Sequence, residues 1–555
     1  MRALLPSILW ISAISFAQES LDLSVVHRIK AEATKKSRVM DHLSQLTDVY
    51  GPRLTASPNQ RAAADWAAAQ FKQMGLTDVR LEEWGPFGRS WSLRQFSLEM
   101  LGPQYTPLIA MPLPWSSSTS GPVTADAVLF PVRTTDMEKL AADIARLRTA
   151  TLDLKGKLVL ISAIRPLQVQ LQAAGKRYSD AELAATTAGP DLNAPKKFDY
   201  SKLWQPEDPQ ERTEFLRNAP PGFREALREK TNELRRELDK LLREKGAIGI
   251  LTSDRRSDGG TIFGEAAGPY QSKYPLALPT ATLTPEHYNR IARLLNAKTP
   301  VQLKFNLKAD NSADDVSPVN VIAEIKGAQK PDDVVMIGAH LDTWTGATGA
   351  TDNAAGCAVA IEVARILKTL SLPLQRTVRI ALWTGEEQGL LGSKAYVKKH
   401  FADPKTMEVK PEHTHISAYF NLDNGGGKIR GVWLQGNDAA RPLFERWLSA
   451  FKDLGVTTIS IRDTGGTDHL SFDAVGIPGF QFLQDPLEYS SRTHHSNMDA
   501  YDHVQPGDLM QAAAVMASVV YHAANSPNMI PRKPLPSPEE KWTPSSVAPV
   551  SDGQQ

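Results

Sequence analysis

The stretch "IGAHLDTWTGATGATDNAAG" (residues 337–356) begins as an apolar strand and turns polar, presenting His340, Asp342 and Asp352 on a loop of Gly, Thr and Ala. A loop turns on its glycines and needs no imidazole or carboxylate to do so. A metal ion does need them. Three later apolar runs behave in the same way: "TGEEQG" brings Glu386 and Glu387, "YFNLDNGGG" brings Asp423, and the stretch through "TGGTDHLSF" and "SSRTHHSNMD" brings Asp468, His469, His494, His495 and Asp499. Singly, each has a dull explanation, since adjacent glutamates usually mark a solvated loop and a lone His a satisfied core or surface residue. Repetition shifts the balance. Ionisable groups at the ends of buried strands cost several kcal/mol unless they are paired or hold a cation. Carboxylates mixed with imidazoles, without a thiolate, suit zinc or another borderline divalent ion. Two histidines and three carboxylates exceed what one tetrahedral zinc requires, and suit two metals about 3.5–4 Å apart.

The elements that must position these groups are legible from about residue 315. "VNVIAEIKG", "VVMIGAH", "VRIALWTG", "ISAYFNLD" and "FQFLQD" are apolar runs of strand length, with helical runs between several of them. The alternation predicts an α/β fold, a doubly wound and largely parallel mixed sheet with helices on both faces. In such sheets ligands bind at the carboxyl ends of the strands. One of the helical runs, "DNAAGCAVAIEVARILKTL", holds the single cysteine, Cys357, on a packed face, which suits a small buried thiol and excludes an intramolecular disulfide.

Upstream, residues 20 to about 125 read as mixed helix and strand, punctuated by Gly51-Pro52 and Ser57-Pro58-Asn59, with Gly75 stopping a helix. "LKGKLVLIS" (154–162) and "GAIGILTS" (246–253) are short β-rich runs separated by a long polar interruption, about 165–245. The end of that interruption carries Phe223, Leu227, Leu234, Leu238, Leu241 and Leu242 at near-heptad spacing, with Gly246 as a stop, and predicts an amphipathic surface helix; a lid or partner-binding arm is the functional alternative. "MRALLPSILWISAISFA" has the layout of a secretory signal peptide cut after Ala17, so export to a periplasm or medium is expected. Residues 531–555 are Pro-rich and expected to be an extended tail. The 555 residues carry a formal net charge of +1, which steers the chain toward neither nucleic acid nor an anionic membrane.

The ordered set H-x-D, D-N after a glycine-rich loop, E-E-x-G, N-L-D and H-[ST]-x-x-D resembles the co-catalytic di-zinc exopeptidases of metallopeptidase family twenty-eight, over residues 315 to about 525. The resemblance implies a zinc-exopeptidase fold, two zinc ions per chain, and hydrolysis of peptides or dipeptides by a hydroxide bridging the two metals. By position, His340 and Asp423 would bind one ion, Glu387 and His495 the other, and Asp352 would bridge them. Asp342 would orient His340, Glu386 would be the general base, and the Asp352–Asn353 peptide would be cis. Relatives often carry Tyr before the last ligand; here His494 would take that place as oxyanion donor, with an exchange of roles between His494 and His495 as the alternative. Tyr489 is a further pocket candidate, and His469 has no assigned role. "LTDVYGPRLTASPNQRAAADW" looks like the family's N-terminal helical segment, and the two β-rich runs look like halves of an inserted protease-associated domain. The implied layout is a peptidase domain of residues 18–125 and 310–530 interrupted by an insert at 126–309. An aminopeptidase is the first expectation and a carboxypeptidase or dipeptidase of the same fold, like carboxypeptidase Q, the second. A glutaminyl cyclase with one zinc, or an inactive receptor-like homologue, stands behind these. The oligomeric state is open, a homodimer included. Arg430 and Arg492 lie close in sequence to ligands, and sequence leaves open whether either faces the site.

Overall fold

A computed structural model describes residues 21–134, 137–189, 219, 223–312 and 314–538. The expected signal peptide, part of the polar interruption and most of the expected tail lie outside the described residues.

The five apolar runs form strands of one eight-stranded sheet with three others. In chain order these are β1 (Thr77–Glu83), β2 (Val319–Ile325), β3 (Lys330–His340), β4 (Arg376–Trp383), β5 (Ile416–Asn421), β6 (Ile429–Trp433), β7 (Thr458–Ser460) and β8 (Gly479–Gln484). Their order across the sheet is β1-β2-β4-β3-β5-β8-β6-β7. The four central strands β4, β3, β5 and β8 run parallel. Antiparallel pairing enters at β1–β2, β2–β4 and β8–β6, so the sheet is mixed, with a parallel centre.

Each central strand is buried on both faces, which is why the runs are apolar throughout rather than alternating. Val335, Ile337 and Ala339 of β3 enter one core, while Val334 and Met336, pointing the opposite way, enter another. The first core is covered by helices Leu23–Lys35, Pro58–Gln73, Ala355–Thr369 and Pro506–Asn525, and the second by Leu391–His400 with Phe472. Helix Pro58–Gln73 starts where its punctuation predicted: Ser57 Oγ accepts the Gln60 N–H at 3.2 Å, and Pro58 sits in the first turn. It ends at Gly75, whose φ of +77° is the left-handed conformation that glycine adopts without a side-chain clash.

A second eight-stranded sheet, spanning Trp91–Gly102 to Gln302–Asn311, contains both β-rich runs. They supply Leu158–Leu160 and Gly249–Thr252, which pair in parallel. Trp91–Gly102 and Ala110–Pro112, grouped above with the first part of the peptidase domain, are strands of this second sheet. Its core includes Trp91, Trp115 and Phe305, and also Trp344 from the loop that follows His340, set edge-on to Trp115 at 6.0 Å. The two sheets therefore meet beside the loop where the chemistry was expected.

The charged run forms helix Phe223–Glu244 and ends at Gly246 (φ +83°). Leu234, Leu238, Leu241 and Leu242 pack against Leu140, Ile144 and Leu147 of helix Met137–Thr149. Each buried leucine contributes about 1.5–3 kcal/mol, so the C-terminal half of this helix is an anchored surface element and not a swinging lid. Another part of the interruption grips the peptidase sheet. Arg177 reaches the buried carboxylates of Asp485 at 2.9 Å and Asp508 at 2.8 Å, and Ser179 caps the helix Asp180–Ala188 that follows.

Candidate metal centre

The parallel strands β4, β3, β5 and β8 are neighbours, so their carboxyl ends open on one place. β3 ends in His340; Glu386 and Glu387 follow β4; Asp423 follows β5; and the loop after β8 carries Tyr489, His494 and His495. Asp352 stands just before helix Ala355–Thr369, and the Asp352–Asn353 peptide is cis.

Asp352 is at the middle of the cluster. His340 Nε2 lies 3.2 Å from its Oδ1 and 3.3 Å from Asp423 Oδ1. His495 Nε2 lies 3.2 Å from Asp352 Oδ2 and 3.0 Å from Glu387 Oε2. These separations resemble the spacing of about 3.3 Å between donors on a tetrahedral ion with bonds of about 2.0–2.1 Å. The atoms face a common point more than one another: His340 Nε2, Asp352 Oδ2, Glu387 Oε1 and Asp423 Oδ1 are all buried without a hydrogen-bond partner. Native proteins leave few such atoms unpaired, and four at one place suit the coordination of a cation.

The electrostatics agree. Burial, then the nearby Asp352 carboxylate, pushes Glu387 up to about 8. Burial and Asp352 push Asp499 up to about 7. Burial drives Glu386 well above the usual carboxylate range, with Asp423 and Asp468 adding to it against the opposing His340. So many acids cannot all ionise together in a buried site without added positive charge. Divalent zinc fits this donor set of carboxylates and imidazoles.

Surrounding groups hold the donors in place. The His340 Nδ1–H donates to the main-chain carbonyl of Asp342 at 2.9 Å, which leaves Nε2 with its lone pair toward the cluster. The Asp342 carboxylate, expected to orient His340, lies 3.7 Å from that nitrogen. It instead accepts from Thr55 Oγ at 2.8 Å and from the N–H groups of Glu386 and Glu387 at 3.2 and 3.3 Å. It thereby fixes both glutamates of the following strand end. Asp499 accepts from the N–H groups of Thr351 and Asp352, at 2.6 and 3.1 Å, which sets the backbone of the shared ligand.

His494 sits beside the cluster. Its ring stacks on His495 at 3.7 Å, its Nε2 is 4.0 Å from Asp352 Oδ2, and Tyr489 meets it edge-on at 4.9 Å. His495 is thus the better-placed of the two histidines for an ion shared with Glu387. His469 turns away, its Nε2 3.2 Å from the Thr464 carbonyl. Arg430 is occupied with Asp485 and Gly455. Arg492 lies near Glu488 at 3.3 Å. Cys357 is buried with its thiol pushed up to about 12 by burial, an inert core group.

Arg53 was not anticipated as part of this region. It is fully buried, and its guanidinium donates to the carbonyls of Leu46, Leu341, Thr348 and Gly349 at 2.5–3.0 Å. Three of those carbonyls bracket the loop between His340 and Asp352. Replacing Arg53 with Met leaves these buried acceptors unsatisfied, partly offset by no longer burying a charge, and is expected to cost about 3 kcal/mol. A denaturant-midpoint measurement checks this; Arg53→Lys should recover only part, because one ammonium cannot span four carbonyls.

A mixed α/β sheet whose parallel strands lead into a cluster of carboxylates and imidazoles is an architecture suited to holding metal ions. Residues 320–520 match peptidase family M28. Carboxypeptidase Q of Bos taurus is 33% identical over 294 residues, which cover 52% of this chain and 59% of that protein. Aminopeptidase YwaD of Bacillus subtilis (strain 168) is 31% identical over 210 residues, 36% of this chain and 44% of that protein. The chain thus spans about half the length of these curated relatives. Among solved structures, a peptidase M28 precursor from Shewanella amazonensis SB2B superposes with a TM-score of 0.62 at 25% identity, covering 93% of this chain and 98% of that one. A zinc aminopeptidase from Bacillus subtilis shares the fold, with a TM-score of 0.52 at 19% identity over 89% of this chain and 97% of that one.

Proposed function

We propose that the chain is a zinc-dependent exopeptidase with His340 and Asp423 at one ion, Glu387 and His495 at a second, and Asp352 shared between them. The observation that carries this reading is the Asp352 carboxylate, which lies 3.2 Å from both imidazoles and has, with His340, Glu387 and Asp423, a buried atom without a hydrogen-bond partner. Zinc supplies Lewis acidity toward a peptide carbonyl and acidifies a water as nucleophile. Glu386, 9% exposed and anchored through its N–H to Asp342, is the group proposed to accept the water's proton and return it to the leaving amine. His494, half-exposed and flanked by Tyr489 and His495, is the proposed donor to the developing oxyanion.

Aminopeptidase action is the first reading, supported by the similarity to aminopeptidase YwaD. Carboxypeptidase or dipeptidase action is the second, favoured by the longer similarity to carboxypeptidase Q. Export, expected from residues 1–17, belongs to the same proposal. Among the described residues no helix is long and apolar enough to cross a membrane.

The test is hydrolysis of one tripeptide blocked at its N-terminus or at its C-terminus, with and without a chelator, followed by mass spectrometry. Chelator-sensitive cleavage that requires a free N-terminus is expected. Cleavage that requires a free C-terminus would establish the second reading. No cleavage, with one zinc per chain, would move the protein to the cyclase reading; no cleavage with two would favour the inactive homologue.

A further inference from the structure

The proposed ligand His495 is held by a residue from the second sheet's side of the molecule. Its Nδ1 lies 2.8 Å from Glu265 Oε1, 230 residues away in sequence. Glu265 belongs to the connection between strands Gly249–Thr252 and Thr280–Leu283, far from every strand end that supplies a donor. The contact is part of a longer seam. Phe263 pairs with Ser496 in an antiparallel bridge, and the Gly264 N–H donates to the His495 carbonyl at 3.0 Å. The Ile262 N–H donates to Asn497 Oδ1 at 2.7 Å, and the Asn497 N–H returns a bond to the Ile262 carbonyl at 3.0 Å.

His495 needs such support. Its φ is +64°, the left-handed region that a non-glycine residue adopts at a cost of about 1–3 kcal/mol, kept only where the surroundings enforce it. The seam supplies that enforcement from outside the peptidase sheet. The Glu265 carboxylate does something different: by taking the Nδ1–H it selects the tautomer with its lone pair on Nε2, the nitrogen that faces Asp352 and Glu387. It also places a negative charge behind the imidazole, which makes the ring a stronger ligand. Arg256 also approaches Glu265, its guanidinium 3.7 Å from the same oxygen and over the Phe263 ring at 4.7 Å, and Arg235 adds further positive charge nearby. Arg256 holds the half-exposed carboxylate on the His495 side.

We propose that Glu265 is a positioning residue for the metal ligand His495, so that the second sheet's connection completes the metal centre rather than merely shielding it. This rests on the two-metal reading above. Arg177 and its neighbours hold the other flank of the same loop: the Lys176 N–H donates to the Leu487 carbonyl at 3.0 Å and Ser491 Oγ to the Ala174 carbonyl at 2.6 Å.

The experiment compares zinc affinity of the full chain with that of Glu265→Ala and Glu265→Gln, by competition with a chromophoric chelator near pH 7. Thermal unfolding of the metal-free forms is measured alongside. Loss of the carboxylate is expected to weaken one of the two zinc ions 10- to 100-fold, the range typical for an outer partner of a ligand. Glu265→Gln, whose carbonyl still accepts the Nδ1–H but carries no charge, is expected to fall between wild type and Glu265→Ala with an unchanged metal-free Tm. Two zinc ions at wild-type affinity in Glu265→Ala would overturn the inference and leave the two-metal reading standing. Equal weakening of both ions in the two variants, with a lowered metal-free Tm, would show a merely structural seam and also overturn it. A wild-type chain that binds no zinc would overturn both.

Discussion

Replacing Glu386 with alanine is expected to lower kcat by about 100- to 10,000-fold while zinc content stays at the wild-type value. That range corresponds to about 3–5 kcal/mol of transition-state stabilisation. The separation of the two readouts follows from the geometry. Glu387, the neighbouring residue, lies at the His495 end of the cluster, whereas the ligand-type contacts do not include Glu386. The bond from its N–H to Asp342 is a main-chain bond and survives the substitution. A group that acts only while a proton is in flight contributes to the transition state and not to substrate binding, so kcat and kcat/KM should fall together. Glu386→Gln, of the same shape but without basicity, should behave like the alanine variant. Single-turnover kinetics with metal analysis on the same sample checks this, and an unchanged kcat would remove Glu386 from the mechanism.

The parts of the molecule that were legible in the sequence are those whose signal is local. β3, β4, β5 and β8 are buried on both faces, so each appears as an unbroken apolar run, and His340, Glu387 and Asp423 lie at or within a few residues of a run's end, while Asp352 and His495 come later, on the loops after β3 and β8. Parallel neighbours then bring those ends together without further information. The domain edge near Trp91 was less legible, because Trp91–Gly102 is a largely exposed or half-buried strand with few buried side chains, and nothing local says which sheet it joins. Arg53 and Glu265 were not legible as site residues at all. Arg53 sits in "YGPRLT", where nothing indicates that four carbonyls from distant segments will surround its guanidinium. Glu265 lies in a Gly- and polar-rich connection and gains its meaning only when that connection runs antiparallel to residues 495–497. Asp342 makes a different contact from the expected one: its main chain meets His340, and its carboxylate meets the glutamate N–H groups. Spacing of two along a strand end brings the residues close, yet it does not say which atom of the second reaches the first.

Asp352→Ala tests the cluster at its centre. One oxygen of Asp352 lies 3.2 Å from His340 Nε2 and the other 3.2 Å from His495 Nε2. No other side chain in the cluster approaches both imidazoles this closely, so alanine removes a donor from each proposed ion position at once. Zinc affinity at both positions is expected to fall by more than about 1,000-fold, or about 4 kcal/mol, and peptide hydrolysis with it. Stability gives an independent readout. Zinc at 1,000 times its Kd stabilises a folded chain by about 4 kcal/mol, so added zinc should raise the Tm of wild type by several degrees and that of Asp352→Ala hardly at all. The metal-free forms isolate the packing effect of the substitution, because neither has zinc to lose. Asp352→Asn separates the roles further: it preserves volume and one oxygen, and so should keep one ion better than the other if the two oxygens serve different ions. Loss of only one ion in the alanine variant would place Asp352 on a single metal, and wild-type zinc content would remove it from the centre altogether.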